Sequence, residues 1–192
     1  MEFKTHDYDA NLEINIDYQE LDIEKRRQLV SNIDHYIANG FKKICDVQVK
    51  FEKDDAWLYI NVDESLMFSD HSSWVYFIVE DKTIVKVGET SLPLGIKSKT
   101  HDQPVSGTFT RFGRLAHWKD ATDGRIRQSL YESANKGLVS LWAKQCDTIE
   151  VEREVGNSIK KLQATFHKTL ELSYMDYMKD NCYTPPLNLC RK

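Results

Sequence analysis

Tyr76 and Lys86 stand ten positions apart in the stretch WVYFIVEDKTIVKVGET, which runs from Trp74 to Thr90. Tyrosine is a poor base, because its ordinary pKa is about 10. A cation within a few ångströms favours the phenolate, and burial brings a lysine's own pKa down. Such a pair can act as a general base that activates water for attack on phosphorus. The same two residues also read as a core aromatic and a lysine whose ammonium snorkels to solvent. Residue types and spacing alone favour that plainer reading.

The elements that must position the pair come next. Val75–Val79 and Ile84–Val87 are rich in β-branched and aromatic residues, so the stretch predicts an antiparallel hairpin. Side chains alternate along a strand, and a two-residue turn at Asp81-Lys82 would pair 76 with 87 and turn Lys86 to the opposite face. The sequence therefore predicts an odd loop, Asp81-Lys82-Thr83, with 78 opposite 86. Residues 91–110 hold two prolines and two glycines without periodicity and read as a long loop. Thr122 or Asp123 caps a predicted helix through Lys136, closed by Gly137, and Val139–Lys144 reads as a strand. A long helix then follows the stripe Val155, Ile159, Leu162, Phe166, Leu170, Tyr177 and ends near Asn181. This second half is β-β-α-β-α.

Upstream, Asn11–Tyr18 alternates as a strand, and Asp22 caps a helix that Gly40 ends. Cys45–Phe51 and Trp57–Val62 flank Glu52–Asp55 as a further hairpin. This gives a β-α-β-β lobe, with a boundary in the polar stretch Ser65–Ser73. The expected class is α+β, with an accessory lobe over 1–70 and a second domain over 71–192.

Composition narrows the function. At 192 residues the chain can bury one core and a second small lobe, and 41% hydrophobic with 29% charged residues describes a soluble protein. No apolar run reaches the roughly 18 residues that a membrane crossing needs, and the N-terminus lacks a signal-peptide pattern. The expected location is cytoplasmic. Cys45, Cys146, Cys182 and Cys190 are scattered, which argues against a zinc ribbon and, in a reducing compartment, against disulfides. Residues 1–70 carry 16 acidic against 8 basic side chains, whereas 71–192 carry 14 against 18. From Lys86 to Arg127 eight basic residues meet four acidic ones. Such a run is either a solvated face or a local footprint for phosphates.

The spacing -VY-x9-KVG- resembles the paired signature of the GIY-YIG nuclease superfamily. Trp74-Val75-Tyr76 stands where GIY stands, and Lys86-Val87-Gly88 where YIG stands. Lysine in place of the second tyrosine is similar to some restriction endonucleases of that superfamily. Further blocks follow in the same order. TRFGRL offers Arg111 or Arg114 for the superfamily's arginine, with Arg111 preferred. FHKTLELSYMDYMKDNCYTPPLN resembles the closing block, in which Glu171 takes the place of the metal-binding glutamate and Asn188 that of the following asparagine.

The resemblance covers about residues 74–190 and implies a small GIY-YIG-like core. It implies a DNA endonuclease that hydrolyses phosphodiester bonds, closest to type II restriction and phage enzymes. Tyr76, Lys86, Arg111 and Glu171 would be catalytic, with Glu171 holding Mg²⁺ or Mn²⁺. Gly88 then reads as a place where backbone must come close to its surroundings. Arg114, His117, Glu89 and Asn188 are expected in supporting roles, and His167 one turn before Glu171 could orient it. Lys97, Lys99, Arg125 and Arg127 are expected DNA contacts. The implied partners are double-stranded DNA and a second copy of the chain. A nuclease of relaxed specificity, or a DNA-binding module without catalysis, are the other readings. Position 115 departs from the pattern, since leucine stands where a histidine is common.

Overall fold

The computed structural model describes residues 21–50, 56–97, 104–109, 122–155 and 158–188. Five strands form the central sheet: β1 (Lys42–Lys50), β2 (Ala56–Ile60), β3 (Trp74–Glu80), β4 (Thr83–Thr90) and β7 (Val139–Gln145). Their spatial order is β2-β1-β7-β3-β4, and every neighbouring pair is antiparallel. The sheet runs through the boundary expected near residue 70, because β1 of the first lobe pairs directly with β7. The expected strand 11–18 and the Glu52–Asp55 turn lie outside the described residues.

Alternation along β3 divides the core into two layers. Trp74, Tyr76 and Ile78 face one side with Leu141 and Ala143, under Ile126, Leu130 and Ala134. These three come from α4 (Thr122–Ser129), α5 (Tyr131–Asn135) and the residue between them. Val75, Phe77 and Val79 face the other side, against Tyr36, Phe41 and the Tyr174 and Met178 of α6 (His167–Asp180). There Phe41 stacks on Phe77 with ring centroids 4.0 Å apart.

The hairpin reaches the expected facing by a different route. Its turn has two residues, Asp81 (φ 43°) and Lys82 (φ 68°), with Glu80 opposite Thr83. The three-residue loop is thus corrected: both φ values are positive, the geometry whose twist matches that of the flanking strands. A β-bulge then restores the register. Val79 pairs with Ile84, Val85 is the extra residue, and Ile78 pairs with Lys86. Tyr76 faces Gly88 two positions on. Tyr76 and Lys86 therefore share one side of the sheet.

Other expectations change. The single helix expected from Asp22 to Asn39 is two, α1 (Ile23–Ser31) and α2 (Asp34–Ile37). Asp22 caps the first by accepting the Lys25 N–H at 2.8 Å. The break comes at Asn32 (φ −89°, ψ 130°), which bridges to Thr83, while the Ile33 N–H donates to the Lys82 carbonyl at 2.9 Å. The polar stretch Ser65–Ser73 is not a bare linker. It begins inside α3 (Glu64–Met67), a helix capped by Asp63, and includes the fully buried Met67. Within 91–110, β5 (Ile96–Lys97) pairs with β6 (Pro104–Ser106), and Leu94 and Phe109 are buried.

The largest correction concerns the long helix. β8 (Thr148–Val155) and β9 (Ser158–Thr165) pair as a two-stranded antiparallel ribbon, and α6 begins only at His167. Ile149, Val151 and Val155 alternate at period two, and Gly156-Asn157 is a hairpin-turn pair in sequence. The apparent helical stripe arose because Val155, Ile159 and Leu162 happen to fall four and three residues apart. No helix among the described residues is long and apolar enough to cross a membrane.

Candidate active site

Tyr76 and Lys86 are both buried, at 4% and 6% exposure, on adjacent strands. Gly88 sits directly opposite Tyr76, whose ring lies across it. A Cβ at Gly88 would stand 2.5 Å from the phenol oxygen and 2.8 Å from Cε1. Glycine is required here by close approach, since its φ is not in the left-handed region. The edge of Phe109 packs on the Tyr76 ring at 5.6 Å and 90°. The ring is thus held between a glycine and an aromatic edge.

Beside this pair, β4 is the outer strand of the sheet. Asn188 closes its open edge: the carboxamide accepts the Val87 N–H at 2.8 Å and donates to the Val87 carbonyl at 2.9 Å. A buried backbone pair left open would be costly, and the side chain satisfies both groups between Lys86 and Gly88. Asn188 lies in a short 3₁₀ turn, Pro186–Asn188. The neighbouring Tyr183 hydroxyl donates to the Ile84 carbonyl. Burial pushes that phenol up to about 12, partly offset by the charge of Arg27.

Glu171 is 3% exposed on α6, which packs against β3 and β4. It shares the buried stripe of that helix with Tyr174 and Met178. One turn earlier, His167 places Nε2 3.2 Å from a Glu89 carboxylate oxygen and Nδ1 3.1 Å from the Ser73 hydroxyl. Glu89 pairs with Val75, so it faces the side of the sheet opposite Tyr76. The structure therefore gathers Tyr76, Lys86 and Gly88 on one side and the His167–Glu89 pair on the α6 side. Both groups converge on the stretch Lys86–Glu89 of the edge strand.

A magnesium ion takes one or two carboxylates and keeps several waters. Among the described residues no group of three or more His, Cys, Asp or Glu is arranged to hold a metal. The single carboxylate of Glu171 fits a magnesium site completed by water and phosphate, and does not fit an all-protein cage.

Arg111, Arg114, His117 and Lys99 lie outside the described residues. Lys97 is exposed, 2.7 Å from Glu64 and 5.3 Å above the Phe68 ring centroid. Arg125 is exposed, but Arg127 is buried near Tyr59. Burial pushes the Tyr59 phenol well up and the Arg127 charge pulls it partly back. That phenol donates to the Phe109 carbonyl, behind the ring that packs on Tyr76. Ser73 and Phe109 carried no sequence signal, because only tertiary packing brings them to the site.

No family model matches the sequence, and no curated protein matches it. Among solved structures, that of bacteriophage T4 EndoII, a mutant form, is similar with a TM-score of 0.54 at 10% identity, covering 81% of this chain and 97% of that one. The restriction endonuclease HPY188I in complex with product DNA is similar with a TM-score of 0.47 at 14% identity, covering 88% and 91%. At these identities the likeness is one of fold. The likeness to T4 EndoII shows a shared fold and no more.

Proposed function

We propose that the chain is a metal-dependent DNA endonuclease, of the type II restriction kind that cuts both strands at a specific sequence. The observation that carries the reading is the shared facing of Tyr76 and Lys86 beside Gly88, built by a two-residue turn and a bulge. Lys86 favours the phenolate of Tyr76, and the phenolate takes a proton from the attacking water. Arg111 offers a guanidinium to the oxygens of the pentacovalent transition state. Glu171 would hold magnesium, which when bound supplies Lewis-acid charge at those oxygens. Arg125, Lys97 and Lys99 contact the backbone phosphates, Lys97 leaving its ion pair with Glu64 to do so, and most of the acidic residues of 1–70 face away from them. Two copies, one active site each, would cut the two strands.

Plasmid cleavage in Mg²⁺ and in EDTA tests the reading. Cleavage should require the metal. Tyr76→Phe and Lys86→Met should each lower it by about 10²–10⁴-fold, with DNA binding in Ca²⁺ retained. Wild-type rates in either variant would remove its assigned role. The fold likeness to T4 EndoII favours one second reading, a phage-type nuclease of relaxed specificity. Cleavage of a random-sequence library separates the two, through one site or many.

A further inference from the structure

A string of polar contacts, one hydrogen bond and one ion-pair distance, runs beside the proposed site without entering the reaction. His167 engages a partner through each ring nitrogen, Ser73 Oγ at 3.1 Å and a Glu89 carboxylate oxygen at 3.2 Å. Ser73 is 4% exposed, and its carbonyl accepts the Cys146 N–H at 2.9 Å. One imidazole thus ties the start of α6 to the residue before β3, to the end of β4 and, through Ser73, to the residue after β7.

The start of α6 has unusual need of such a tie. Its N-cap position is Phe166, which makes no side-chain cap bond, and its first turn contains no acidic residue. The ordinary means of fixing a helix start are therefore missing. His167 is the first helical residue, and Glu171 follows it by one turn on the same side of the helix. Any tilt or fraying of that first turn displaces the Glu171 carboxylate.

We infer that the Ser73–His167–Glu89 string is a positioning device for Glu171, fixing the first turn of α6 against β4 so that the carboxylate is preset to receive the divalent cation. The inference rests on the metal-binding role proposed above for Glu171. Residues that orient a ligand from outside typically contribute 10–100-fold in metal affinity. His167 is accordingly a positioning residue and touches no reacting atom.

Divalent binding is read in two ways on the full chain. The first is the rise in thermal midpoint on titrating Ca²⁺ or Mg²⁺ without DNA. The second is the Mg²⁺ concentration that gives half-maximal plasmid cleavage. His167→Ala should move both toward higher metal by about tenfold or more, with DNA affinity unchanged. Glu89→Gln and Ser73→Ala, milder changes at either end, should shift them in the same direction and cover the case of an unfolded His167→Ala. A variant that lowers the metal-free midpoint while leaving the metal response at wild type would show a merely structural tie and overturn the inference. Glu171→Gln separates the two levels. If it leaves the metal response intact, the proposed function loses its metal ligand. If it abolishes the response while the His167 and Glu89 variants do not disturb it, only the positioning role falls.

Discussion

At the scale of single residues, Gly88 and Asn188 set the surroundings of the Tyr76–Lys86 pair. A methyl group at Gly88 would collide with the Tyr76 ring, which Phe109 holds from another side. Gly88→Ala should cost about 1–3 kcal/mol in urea unfolding, as overpacking does. It should lower cleavage by about 10²-fold, because a displacement near 1 Å is enough to lose catalytic alignment. Asn188→Ala leaves the Val87 N–H and carbonyl without their partner and should cost about 1–3 kcal/mol. Asn188→Asp keeps an acceptor for the Val87 N–H but cannot donate to the carbonyl, so unfolding should show an intermediate or larger loss. The shared facing of Tyr76 and Lys86 was legible in the sequence because side chains alternate along paired strands, and the close approach at Gly88 because the motif resemblance marked it. The clamp made by Asn188 was not, since a residue 101 positions away in sequence pairs with Val87.

Elements decided more than their local sequence announced. A regular two-residue turn at Asp81-Lys82 would have put Lys86 on the wrong face, which is why an odd loop was expected. The facing of Lys86 was foreseen correctly, but Val85 rather than a third loop residue produces it. Deleting Val85 would leave a regular ladder in which Ile78 still faces Lys86. Cleavage should survive that deletion, measured on plasmid at saturating Mg²⁺. Its loss in a folded variant would mean that the added twist of the bulge matters more than the facing. The ribbon of β8 and β9 escaped recognition for a different reason. Short apolar runs satisfy helical and strand periods together, and the turn pair Gly156-Asn157 was the cue that should have decided between them.

For the whole molecule, β1 and β2 belong to the same sheet as the Tyr76 hairpin. Removing residues 1–65 would strip β7 of a neighbour and expose its edge, along with the buried pocket left by Ile44, Val47 and Tyr59. The truncated chain should be insoluble, a result that sedimentation of the expressed protein would check. Stability should also fall at both ends of the pH range. Burial lowers the His35 pKa, so below its ordinary value of 6.5 the unfolded chain binds a proton that the folded chain resists. Burial pushes the Cys146 thiol from 9.0 up to about 11, so stability is full below pH 9 and is lost as the pH rises past it. Urea midpoints from pH 4 to pH 11 should trace that dome. The sheet order finally sets a clock. β7 alone lies between β1 and β3, whereas β8 and β9 pair, among the described residues, only with each other. In deuterated water the amides of Val139–Lys144 should wait for global unfolding, while those of the ribbon exchange through local opening, hours or days sooner.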